Sequence, residues 1–196
     1  MAFIPVSADF DEIRRVRRIL LAGWDWKGPV TFSGKGGAEG FQKWGRGEFI
    51  GRQAPHLLAC AGLARSGDSA ALIKADAALL DAGRSIAAGR ALLAARCGAR
   101  HLPTLKALGT AVADGKAQGH MMTVLGICAA EFSIAALPLL QAAVFMEWRA
   151  ALPAVPESFF MTEAGPVMAL LPALAFPQKP VLIPLAAPRP GILRRE

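Results

Sequence analysis

From Ser69 to Ala151 the chain consists almost entirely of helix-forming residues, and much of its apolar content is alanine. Alanine loses no side-chain entropy on entering a helix, and its small side chain lets neighbouring backbones approach closely. Such a stretch predicts several short, tightly packed helices, divided wherever Gly or Pro interrupts. Hydrophobic residues make up 54% and charged residues 19% of the 196 residues, and that length suffices for one domain with a real core. The expected fold class is all-α: a single-domain helical bundle over 1–176 with a Gly/Trp-rich irregular segment at 23–51, then an extended proline-rich tail at 177–196.

Punctuation along the chain places the elements. Asp9 and Glu12 have capping-box spacing, and Ile13, Val16, Ile19 and Leu20 recur at helical spacing, predicting a helix to about Ala22 with Arg14, Arg15, Arg17 and Arg18 on a solvated face. Residues 23–51 hold three of the four tryptophans, Trp24, Trp26 and Trp44. Gly28-Pro29 and Gly34-Lys35-Gly36-Gly37 mark a loop there, with one short helix near 38–44, and the tryptophans are expected to anchor it to the body. Further helices are expected over 55–64, from Asp68 or Ser69 to Gly83 with Leu72, Ala75, Leu79, Leu80 and Ala82 on one side, and onward through Ala95. Others should run from Pro103 to near Gly115, over 120–133, over 136–152, and over 162–174 interrupted at Pro166. Five prolines after Phe176 forbid helix and predict a polyproline-like path, with Val181-Leu182-Ile183 apolar enough to lie on the body or on a partner.

Charge and cysteine usage narrow the class. The net charge of +7 and a pI near 9.9 admit an acidic partner, a nucleic acid or an anionic membrane. The chain has no tyrosine and no alternation of basic with aromatic residues, which argues against base stacking. Cys60, Cys97 and Cys128 show no disulfide spacing, and the N-terminus has no signal-peptide pattern, so the chain reads as cytoplasmic. Met121 to Met146 is long enough to span a bilayer. Glu131, Pro138 and Gln141 inside it favour two buried helices meeting near Ala135–Pro138 instead.

No catalytic constellation stands out, and the carboxylates are expected on polar helix faces. Gly34-Lys35 invites comparison with a phosphate loop, but the glycine spacing is wrong and Gly36 stands where Ser or Thr should be. His56 with Cys60, and Cys97 with His101, are each four apart; facing pairs would offer four ligands for zinc or nickel. Buried thiols usually act as small hydrophobes, and no resident metal is expected. His120, beside Gly119, reads as a helix-start or buried hydrogen-bonding histidine.

Two motifs point to a family. Ser85, Gly89, Arg90, Leu92 and Leu93 occur in the order Ser, three residues, Gly-Arg, then a leucine pair; about thirty residues later come Gly119, His120, Val124 and Gly126. With the small and large apolar alternation to Ala151, including Leu140, Phe145, Trp148 and Arg149, and with Phe32-Ser33-Gly34, Gly37 and Glu39 upstream, residues 30–152 resemble the UreF family of urease accessory proteins. Beyond Leu152 the sequence departs from the family pattern: 152–156 and Met161-Thr162-Glu163 stand where the family has an asparagine, a Ser-Ala-Ala turn and a Gly-Gln-Thr motif.

The resemblance implies an all-α, often dimeric cytoplasmic chaperone without catalysis of its own. It would bind UreD/UreH and the GTPase UreG and help deliver nickel, as a transported ion, to apo-urease. Partner-binding residues by resemblance are Ser33, Gly34, Glu39, Ser85, Gly89, Arg90, His120 and Gly126. Two other classes stay open: a structural or assembly protein of another complex, of phage or secretion type, and a membrane-associated helical protein.

Overall fold

The computed structural model describes residues 9–21, 31–79, 83–97 and 103–175, with the side chain of Cys97 outside that description. Helix α1 (Phe10–Leu20) begins at the expected cap, where Asp9 Oδ1 accepts from the amides of Asp11 and Glu12 at 3.0 and 3.4 Å. It buries Ile13, Val16 and Leu20, each contributing about 1.5–3 kcal/mol by leaving water. Its arginines are not all solvated. Arg14 donates to Glu157 at 2.7 Å and lies 4.3 Å over the Phe10 ring, while the Arg17 guanidinium sits 5.7 Å from the Phe145 ring centre. The expected solvated face holds for Arg15 and Arg18 and fails for the other two, because later parts of the chain return over that side.

A larger correction concerns the glycine-rich segment. Its first part, 23–30, with Trp24 and Trp26, lies outside the described residues. Over 37–65 the chain is helical throughout: α2 (Gly37–Trp44), a π-helical stretch (Gly45–Gln53) and α3 (Ala54–Arg65) follow one another without a break. Residues 41, 45, 49 and 53 are all buried, and the wider π turn keeps residues four apart closer to one line than the 3.6-residue α turn does. Gly45 is required by packing: a Cβ there would lie 2.4 Å from a Val167 methyl. Trp44 packs among the segment's own rings, with ring centres of Phe32, Phe41 and Phe49 at 5.6, 5.3 and 5.5 Å.

Helix α4 (Ser69–Ala78) is capped by Asp68, whose Oδ1 accepts from the Ala71 amide at 2.9 Å. Helices α5 (Arg84–Cys97) and α6 (Pro103–Ala113) start after Gly83 and at Pro103, as their breakers dictate. The long apolar run divides into α7 (Met121–Glu131) and α8 (Ala136–Ala151), with Ser133 between them at φ +52°. Helix α7 is buried from Met121 through Ala129, and α8 from Leu139 through Trp148. Helices apolar on every side are core helices, and among the described residues no helix is long and apolar enough to cross a membrane. Helices α1, α3, α5 and α6 pack on α7, while α1, α9 and α10 pack on α8.

The C-terminal elements differ in detail from expectation. A 3₁₀ turn (Glu157–Phe159) leads into α9 (Phe160–Met168), which contains Pro166, and α10 (Leu171–Ala175) follows. The interruption falls at 169–170, since Pro172 cannot donate an amide to a continuing helix but fits a new first turn. Among the described residues the chain forms helices and no strand, an all-α single domain. The tail 177–196 lies outside the described residues.

Candidate functional site

Five residues singled out by the motifs, Ser85, Gly89, Arg90, Gly119 and His120, meet at the start of α7. The first amides of a helix have no partner within it, and here other helices supply acceptors. Asp76 of α4, fully buried, accepts from the amides of Gln118 and Gly119 through Oδ2 at 2.6 and 2.7 Å, and from His120 through Oδ1 at 2.9 Å. Ser85 Oγ accepts from the Met121 amide at 3.2 Å, and Arg90 Nε donates to the Gln118 carbonyl at 2.9 Å. Gly89 lies against the same backbone: a Cβ there would stand 2.1 Å from the Gly119 oxygen and 2.5 Å from the Met121 nitrogen. Gly119 itself has φ +77°, a conformation glycine adopts without steric cost. Ser85, Gly89 and Arg90 thus form one lock on residues 118–121.

His120 is the N-cap residue of α7 and is fully buried, consistent with its expected role as a helix-start histidine. One turn on, Thr123 Oγ1 lies 2.9 Å from His56 Nε2, which is also 3.4 Å from Cys60 Sγ. Burial lowers the His56 pKa below its ordinary value; the Asp76 carboxylate works against that shift and His120 with it. Burial raises the Cys60 thiol to about 11, although its hydrogen bond with Thr123 pulls the other way. At neutral pH this pair is therefore a thiol beside an imidazole, not the thiolate a nucleophile needs.

Of the four metal-ligand candidates, the structure places His56 and Cys60, which share the α3 face described. His101 and the Cys97 side chain lie outside the described residues, and no group of three or more His, Cys, Asp or Glu side chains converges among those described. Gly126 marks the close crossing of α3 and α7, where a Cβ would meet Ala61 N and Cys60 Cβ at 2.9 Å.

Ser33 and Gly34 stand elsewhere, beside the end of α8, and Glu39 lies in the first turn of α2, which packs on α9. Ser33 and Glu39 are exposed, and Gly34, at φ +75°, faces the Ala151 carbonyl. Nearby Glu147, fully buried on α8, accepts from Thr31 N and Phe32 N at 3.1 and 2.9 Å and from Thr31 Oγ1 at 2.9 Å. Asp76 and Glu147 correct the expectation that the carboxylates lie on polar faces. Asp76 carried a readable signal, since it follows the buried Leu72 by four; Glu147 sits inside the apolar run ending at Trp148.

Fold and site together define an all-α protein whose motif residues hold helices against one another. Comparison with known families, curated proteins and solved structures finds no match.

Proposed function

We propose that the chain is a non-catalytic assembly factor of UreF type, which works with UreD/UreH and UreG in the cytoplasm to pass nickel to apo-urease. The supporting observation is the junction at the start of α7. The motifs that carry the resemblance lie some thirty residues apart in sequence, yet Ser85, Gly89 and Arg90 contact the backbone of 118–121 directly. Their order and separation answer to one spatial requirement, which supports reading the two motifs together. Nickel in this reading is cargo.

The test is co-expression of the full chain with UreD/UreH, UreG and urease subunits from the same genome. Co-elution with UreD/UreH on size exclusion and restored activity in a strain lacking its UreF are expected. Absence of both overturns the proposal, as does a stable place in an unrelated complex.

A further inference from the structure

We infer that the outer face of α6, with the groove on either side of it, is a docking surface for an acidic amphipathic helix of a partner protein. One groove runs between α4 and α6 over Ile73, Ala107 and Ala111, with Lys116 at its edge. The other runs between α5 and α6 over Leu93, Ala94 and Val112, with Arg90 at its edge. Each has a volume of about 520 Å³, and Lys106 lines both. Two parallel apolar channels on a helical ridge suit a helix that presents apolar residues three and four apart.

Charge selects the occupant. Lys106 is exposed and pairs with no carboxylate among the described residues. Exposed Arg90 donates to a neutral carbonyl and pairs with no carboxylate among the described residues, and Asp114, the one acid among the described lining residues, is engaged by Lys116 at 3.0 Å. The face therefore carries excess positive charge beside apolar floors, which favours acidic residues flanking an apolar stripe. A second copy docked about a two-fold axis here would bring Lys106 against Lys106, an unfavourable like-charge contact. Among the described residues no aromatic side chain lines either groove to stack a base. The outward residues of α6, Lys106, Ala107, Thr110 and Ala113, offer nothing large to insert into lipid. This surface is independent of the urease reading and stands or falls separately from it.

The test places a photo-crosslinking amino acid at residue 110 of the full chain in its native host, with the same substitution at exposed Thr162 as control. The cross-linked peptides are then identified by mass spectrometry. Expected is an adduct at 110, absent at 162, to a net-acidic helical segment of another protein. Its yield should fall at least tenfold in Lys106→Glu, a surface change whose circular dichroism and melting should match the parent. An adduct to another copy of this chain, to nucleic acid or to a basic segment overturns the inference. So does an acidic adduct indifferent to Lys106→Glu, or no adduct above the control.

Discussion

A methyl group at residue 89 would stand 2.1 Å from the Gly119 carbonyl oxygen, and the atoms around it are backbone that cannot swing aside. Gly89→Ala should therefore cost about 3 kcal/mol or more. Gly62, exposed on α3, has open space where its Cβ would go. Gly62→Ala should stabilise by about 0.5–1 kcal/mol, since it removes only backbone freedom from the unfolded chain. Urea titration of both variants checks the pair, and equal stabilities would mean that the junction is not locked. His56 predicts the acid response. Its folded pKa lies below the ordinary 6.5 because of burial, so on acidification the unfolded chain takes up the proton first. This contribution is whole above pH 6.5 and lost as pH falls through 6.5 to the folded value. Melting temperatures from about pH 7.5 to pH 5 should fall less steeply in His56→Gln than in the parent. Ser85, Gly89, Arg90 and His120 were legible in the sequence as a group. Asp76 offered only its spacing of four from Leu72, and Glu147 only its place in an apolar run, because a helical carboxylate is ordinarily solvated and becomes a core residue only where another segment presents unpaired amides.

Helix limits followed from local chemistry wherever a cap or breaker is strong. Asp9, Asp68, Gly83 and Pro103 each act through their own backbone neighbours, and the helices begin beside them. The π-helical stretch 45–53 could not be foreseen, since Gly45 and Gly47 lower helix propensity and only Val167, more than a hundred residues on, explains why Gly45 is there. The turn between α7 and α8 shows the same division of labour. Ser133 adopts φ +52°, with the Ile134 amide donating to Ala129 O at 2.9 Å and the Ser133 amide to Ala130 O at 3.2 Å, a helix end that normally takes glycine. Relieving that strain by Ser133→Gly should outweigh the entropy glycine adds to the unfolded chain, for a net gain of a few tenths to about 1 kcal/mol. A lower melting temperature would show that the Ser133 side chain has its own stabilising role.

Across the whole molecule, α7 is the member against which α1, α3, α5 and α6 assemble. Amides of Val124 through Cys128 are hydrogen-bonded within the buried part of α7 and should exchange with solvent only on global unfolding. The five-residue α10, with Pro172 inside it, should exchange orders of magnitude faster. Hydrogen exchange read by mass spectrometry resolves the two, and faster exchange in α7 than in α10 would remove α7 from the centre of the fold.

The sequence by itself determined that the chain is helical, where most helices begin, and that Met121 to Met146 breaks in two. Propensity, capping and proline act within a few residues and so are written locally. Only tertiary structure decided that Asp76 would take up the amides at the start of α7, that Arg96 would cap the last carbonyls of α1, and that Gly45 would continue a helix. Each of those depends on which distant group is brought alongside, and that follows from the packing of the whole chain at once.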